Sequence, residues 1–365
     1  MGSKENQVIT HTPTLSEEDE ACLQAMLFSS TQLFPWVLNA AIELNLFGII
    51  AEAGPAACMT PSEIASQLPT HDSDAPSRLD RMLRLLASHS VLTCSIRTLE
   101  DGKVERLYGL TPACQFFLRK EDGCSLVSFS AFTSHRALRE VCVHTKDAIL
   151  EGGDLFKKVH GMPIFQYMDM DPTFNEVFNK GMADLSTIIM KKILEVYQGF
   201  EGLTSLVDVG GGTGKCMSMI TSKNASIKGI NFDLPHVTQS APSYPGVEHV
   251  GGDMFQDVPK GDAIMIKNIL HDWSDENCMK LLRNCYDALP NNGKVVIIEL
   301  LMPEAPGSSK ASQYVSRLDN AMLLHLEGHE RTEKEFESLC KGSGFSNFQI
   351  VCCACTLWAV MEFHK

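Results

Sequence analysis

From Leu203 to the C-terminus the chain is paced by short apolar runs, and that pacing leaves few folds open. "SLVDV", "IKGINFDL", "VEHVGGDMF", "DAIMIKN" and "GKVVIIELL" are rich in Val and Ile and are separated by segments of helix length. A strand buried on both faces reads as an unbroken apolar run, and strands joined through helices lie parallel. Residues 199–365 are therefore predicted to form an α/β layer structure around a parallel sheet.

The first half has a different texture. "SEEDEACLQAMLFSSTQLFPWVLNAAIEL" opens with a serine and acids and continues with helix-spaced apolar residues. "TPSEIASQL" has the capping-box spacing of Thr60 to Glu63, and "APSRLDRMLRLLASH" is amphipathic. "SVLTCSIRTLEDGKVERLYGLT" then alternates apolar and polar residues about Asp101-Gly102, a hairpin pattern. Helices followed by a hairpin give the order of a winged helix, so residues 1–118 read as a mainly helical, winged-helix-like domain. Residues 119–198 read as a helical connector whose Met, Phe and Tyr residues form either core or the wall of a ligand pocket.

Composition narrows the functions available. A chain of 365 residues that is 44% hydrophobic can build two cores, and residues 1–16 are polar enough to stay disordered. A net charge of −14 argues against a nucleic-acid partner, even with Arg78, Arg81 and Arg84 on one helix. Thirteen cysteines, an odd number at irregular spacing and with no secretory leader, suit reduced thiols and a cytoplasmic location. Cys352 and Cys355 lie in "FQIVCCACTLWAVMEF", which reads as one strand, and positions three apart on a strand face opposite ways, so no metal is expected there. The N-terminal Met-Gly resembles a myristoylation start but carries Asn6, and no apolar run is long enough to span a membrane.

"LVDVGGGTGKCMSMI" sets a glycine loop between a buried strand and a helix, where a ligand can lie against the backbone. The dinucleotide pattern G-x-G-x-x-G fails, since its third glycine falls on Lys215 or Met217; what remains is Asp208 followed by Gly210, Gly212 and Gly214. The next strand ends in Asp233, placed to accept ribose hydroxyls, and the third is followed by Asp253 and Met254, an acid and an apolar face for an adenine. Three acids after three successive strands point to a nucleoside-type ligand.

Taken in order, "VDVGGGTG", "NFDLPHV", "GGDMF", "IKNILHDWSDE", "GKVVIIE" and "HERTEKEF" resemble the plant S-adenosyl-L-methionine-dependent O-methyltransferases of the caffeic acid type. "DRMLRLLAS", "GKVERLYGLTP", "KDAILEGG" and "FNKGM" extend the resemblance over nearly the whole chain. It implies a Rossmann-like methyltransferase domain and a homodimer built on the N-terminal domain. It also implies S-adenosyl-L-methionine contacts from Asp208, Gly210, Asp233, Leu234, Asp253, Met254, Phe255 and Lys267, and no metal. A small phenolic or allylic alcohol is the implied acceptor, and Ser30 is inserted into the partner's pocket.

His271 follows the fourth strand on the sheet edge where open α/β folds bind ligands; Glu299 ends the fifth and Glu330 comes from a later loop. One histidine and two carboxylates suit a general base and its orienting groups, the roles the resemblance implies. His271 and Asp272 also read as the opening of a helix capped by Ser274, which is compatible with that use. A phenol near pKa 10 lies roughly 5 kcal/mol uphill of an ordinary histidine, against roughly 13 kcal/mol for an alkanol. A metal-dependent mechanism is disfavoured because no acid-rich ligand cluster is apparent beside the base.

The acceptor positions depart from the family pattern. Phe132 and Thr133 stand in place of Met-Asn, Ile164 in place of alanine, and Met168 and Leu185 in place of histidines, while Phe174, Phe178, Met182 and Met322 match or resemble it. Trp273 joins this set. "HLEGHERT" is one residue shorter than the usual "HNPGGKERT", which brings in Leu326 and Glu327 and leaves the placement of Glu330 open. An apolar pocket disfavours a buried carboxylate. The expected acceptor is an uncharged phenylpropanoid such as coniferyl alcohol or isoeugenol, the alternatives being a flavonoid or a caffeic or 5-hydroxyferulic type. The non-enzymatic alternatives are a winged-helix regulator and an inactive dimer partner.

Overall fold

Ser16 opens the described part of the chain by accepting a hydrogen bond from the Asp19 N–H, which caps the helix Glu17–Ser30. The computed structural model describes residues 16–120, 122–326 and 328–365. The expectations for residues 1–15, including Asn6, and for Glu327 lie outside that set.

Contacts divide the chain into two units, Met1–Gln115 and Phe116–Lys365. In the first, the long opening helix expected from the sequence breaks after Ser30 and resumes as Leu33–Glu43 and Leu46–Glu52, the last break passing through Asn45 in the left-handed region (φ 54°). The Thr60–Glu63 capping box forms as read. Helix Ala75–Ser88 buries Leu79, Leu83 and Leu86, one stripe at helical spacing. Strand β1 (Cys58–Met59) pairs with β3 (Val104–Leu110), which pairs antiparallel with β2 (Leu92–Thr98) around the expected turn. Helix Glu17–Ser30 buries none of its residues, leaving Leu23, Met26, Leu27 and Phe28 exposed.

The second unit is built on seven strands: β4 (Ser205–Val209), β5 (Lys228–Asp233), β6 (Val247–Gly251), β7 (Ala263–Lys267), β8 (Lys294–Leu300), β9 (Asn347–Ala354) and β10 (Trp358–His364). Their order is β6-β5-β4-β7-β8-β10-β9, with the first five parallel and β10 antiparallel to both of its neighbours. Alternate residues feed opposite layers. Val207, Val209, Ile264 and Ile266 pack with helices Asp275–Ala288 and Glu333–Gly342, while Leu206, Ala263, Met265 and Val296 pack with Pro172–Val196 and Lys215–Lys223.

One reading is corrected here. The stretch around Cys352 and Cys355 is not a single strand but the β9–β10 hairpin, turning at Cys355 and Thr356 with φ of 52° and 64° and closed by the Leu357 N–H on the Ala354 carbonyl. Two successive left-handed residues mark a type I′ turn, which the sequence disguises by using neither Asn nor Gly. Among the described residues, no single helix is long and apolar enough to cross a membrane.

Candidate active site

The chain leaves β4 outward to β5 and β6 and returns to β7 on the other flank of β4, so the strand order reverses between β4 and β7. Crevices at the carboxyl ends of such strands are where open sheets take ligands. The glycine loop follows β4 there. Gly210 has a left-handed φ of 70°, and a Cβ on it would stand 2.3 Å from Ile269 Cδ1, so the loop backbone lies directly against the turn that follows β7.

Asp208, beneath the loop, is buried, and its Oδ2 has no hydrogen-bond partner. Burial drives its pKa up to about 7 against the pull of Lys267. Asp233 accepts from the Gly212 N–H at 2.8 Å and the Leu234 N–H at 2.7 Å; burial raises its pKa and these bonds oppose the rise. Asp253 accepts from the Phe255 N–H at 2.9 Å and from Gln256 at 3.3 Å. Met254 and Phe255 pack against the sheet, and Leu234 is exposed. An orphaned buried acceptor, a glycine-rich loop and a carboxylate at or just beyond the end of each of three strands fit a group bearing a cation, a ribose and an adenine.

His271 stands on a single 3₁₀ turn, Leu270–Asp272, placed between β7 and the helix capped by Ser274. Its Nδ1 lies 2.8 Å from Glu330 Oε1 and 3.8 Å from Glu299 Oε2, and its Nε2 lies 3.4 Å from Asp272 Oδ1. Glu299 holds the turn itself: its Oε1 accepts the N–H groups of Ile269 at 2.8 Å and Leu270 at 2.9 Å. Burial pulls the His271 pKa down, but Glu299, Asp272 and Glu330 together outweigh it and raise it to about 10. Burial likewise pushes Asp272 up, to about 7, opposed by His271.

The shortened loop nonetheless delivers Glu330, whose N–H is held by Asp319 Oδ1 at 3.0 Å. Gly328 allows this close approach, since a Cβ there would meet the His271 carbonyl oxygen at 1.8 Å. Arg331 is fully buried and donates to the carbonyls of Leu270 at 2.6 Å and Trp273 at 2.8 Å and to Asp275 at 2.7 Å. Sequence reasoning missed Gly328, Arg331 and the third carboxylate, Asp272. The cluster about His271 also corrects one premise of the argument about metals, though not its conclusion. His271, Glu299 and Glu330 bring one ligand atom each within 4.8 Å of one another, so an acid-rich cluster does adjoin the histidine. Its Nδ1 is engaged by Glu330 and Glu299 Oε1 by backbone, the pattern of an orienting network.

Ile164, Met168 and Phe174 are buried together, with Phe132, Phe178 and Leu326 packed against them. Phe132 lies 5.9 Å from Phe174 and 5.3 Å from Phe178, and Phe165 links Phe178 at 6.4 Å to Trp273 at 6.3 Å, which meets Phe255 at 4.8 Å. A run of rings thus joins the helices Val127–Thr133, Ile164–Met170 and Pro172–Val196 to the turn carrying His271; Phe165 was not singled out from the sequence. Met182 and Met322 are half-buried. Leu185 packs instead with Ile189, Met190 and Ile193 in a sheet-facing layer, and Thr133 is exposed with its hydroxyl donating to the Ser130 carbonyl. Both side chains leave the aromatic cluster because their helices turn those positions elsewhere. Ser30, in the first unit, is exposed at a helix end and donates to the Met26 carbonyl at 3.0 Å.

Residues 143–346 match an O-methyltransferase domain and residues 26–120 an O-methyltransferase dimerisation domain. The chain is 58% identical to caffeic acid 3-O-methyltransferase 1 of Populus tremuloides and 59% identical to caffeic acid 3-O-methyltransferase of Prunus dulcis, over 355 residues and 97% of each chain. Human N-acetylserotonin methyltransferase, solved in complex with SAM, matches with a TM-score of 0.81 over 96% of this chain and 99% of that one, a likeness of fold at 22% identity.

Proposed function

Since the chain belongs to the plant caffeic acid 3-O-methyltransferase family of S-adenosyl-L-methionine-dependent enzymes, we propose that it methylates a ring hydroxyl of a phenylpropanoid, with His271 as the base. The cofactor supplies the methyl group on a sulfonium, already activated for transfer. The protein's part is to align the acceptor oxygen and to take its proton. The observation that carries this reading is the 2.8 Å contact of His271 Nδ1 with Glu330, which orients the ring and leaves Nε2 for the acceptor. The surrounding carboxylates raise the proton affinity of His271 toward that of a phenol, so transfer to the neutral ring is less uphill, while below about pH 10 that neutral ring is the minor form. Asp208, Asp233, Asp253 and Lys267 are the side chains we assign to hold the cofactor, with Leu234, Met254 and Phe255 as its apolar contacts.

The relatives' names reorder the three acceptor readings, and the flavonoid stands last. A caffeic-type acid or its derivative becomes the first, and an uncharged phenylpropanoid the second, the latter kept because Ile164, Met168 and Leu326 give the wall no polar group for a carboxylate. Labelled cofactor and a panel of caffeic acid, 5-hydroxyferulic acid, coniferyl alcohol and isoeugenol separate them. Preference for the acids is expected, preference for the alcohol or the propene makes the second reading correct, and no transfer to any of them refutes both. His271→Ala should abolish turnover in either case. The apolar face of helix Glu17–Ser30 is the surface we assign to the homodimer, carrying Ser30 toward the partner's pocket.

A further inference from the structure

The glycine loop is held from beneath by two side chains of β5, Asp233 and Asn231. The Gly212 N–H donates to Asp233 Oδ2 at 2.8 Å, and its carbonyl accepts from Asn231 Nδ2 at 2.9 Å, so β5 fixes both backbone groups of one loop residue. Asn231 is completely buried, and the same amide nitrogen lies 3.1 Å from Nδ1 of His249, its register partner on β6. His249 Nε2 lies 2.9 Å from the Pro242 carbonyl. A carbonyl only accepts, so Nε2 carries the proton and Nδ1 accepts from Asn231, whose two amide hydrogens serve Gly212 and His249. Only the neutral Nε2–H form of His249 completes every link. An ionised Asp233 only accepts, so it fixes the Gly212 N–H and leaves the Gly212 carbonyl to Asn231.

We propose that Asn231 and His249 are positioning residues of the cofactor site, fixing the Gly212 carbonyl and thereby the loop that receives the S-adenosyl group. The inference rests on the assignment of that loop to the cofactor. Neither residue touches the ligand; both act through Gly212. Asn231→Asp keeps the shape but turns an acceptor toward the Gly212 carbonyl. His249→Asn restores an acceptor where Nδ1 stood, and His249→Leu removes it.

The test is the dissociation constant of S-adenosyl-L-homocysteine, measured by calorimetry on the full-length protein beside steady-state rates. Asn231→Asp should weaken binding about tenfold and raise the cofactor KM in parallel, with kcat at saturation within about twofold. His249→Leu should weaken it about fivefold and His249→Asn less than about twofold. Equal affinities for His249→Leu and His249→Asn overturn the proposal even if Asn231→Asp fails to fold, as does wild-type affinity in a folded Asn231→Asp. A wild-type protein that binds no S-adenosyl-L-homocysteine overturns the assignment of the loop itself, and the inference with it.

Discussion

Replacing Glu299 with glutamine removes one charge from the cluster without changing its shape. The glutamine oxygen can keep both backbone bonds, to Ile269 at 2.8 Å and Leu270 at 2.9 Å, while its NH₂ takes the place of Oε2, 3.8 Å from His271 Nδ1. A unit charge at that distance interacts with an imidazolium by about 4 kcal/mol at an effective dielectric of about 20, equivalent to about 3 pH units as an upper bound. Glu330 and Asp272 remain, so His271 stays raised but by less. The rising limb of kcat/KM for the acceptor, recorded at saturating cofactor between about pH 5 and 10, should move down by roughly 1–3 units in Glu299→Gln. The profiles should cross: the variant is the faster enzyme in acid, where its histidine is already neutral, and the slower one above the limb, where its base is weaker. A thermal melt separates this from a folding defect. The reasoning is falsified if the limb stays within about 0.3 unit of wild type or moves up in a folded variant.

Gly328→Ala places a methyl 1.8 Å from the His271 carbonyl oxygen, so loop and turn must separate. A displacement of that order should lower kcat/KM about 100-fold, and a loss below about threefold in steady-state kinetics would show that the contact yields easily. Asp272, with its pKa raised to about 7 from an ordinary 3.8, favours the fold while protonated; that contribution is complete below 3.8 and is lost as pH rises through about 7. Asp272→Asn stays neutral throughout, so its urea midpoint relative to wild type should climb across that window, and a flat difference would remove Asp272 from the buried cluster.

β4, β7 and β8 were legible because each is buried on both faces and so appears as a run dominated by Val, Ile, Leu and Met, whereas β5 and the edge strand β6 carry polar residues and were legible from their spacing. β9 and β10 were fused in the reading because the turn between them uses Cys355 and Thr356 in a conformation that sequence usually announces with Asn-Gly. The break at Thr31 was hidden because both flanking helices continue the same apolar spacing. His271, Glu299 and Glu330 could be paired from strand order and resemblance, yet Asp272 could not: its approach to Nε2 depends on a three-residue 3₁₀ turn. Arg331 reads as one more charged residue in "HERT", and only packing shows it swallowed beneath the turn.

That arginine and the glutamate before it fasten the end of the loop at two points. Glu330 is pinned to Asp319, and Arg331 to the carbonyls of Leu270 and Trp273, so the chain is fastened to the turn that carries His271. Asp319 and Gly328 are the upstream points on which the registration of Glu330 to His271 depends. On the assignment proposed above, a change at Leu326 therefore alters the acceptor wall while the two fastenings keep Glu330 in place beside His271.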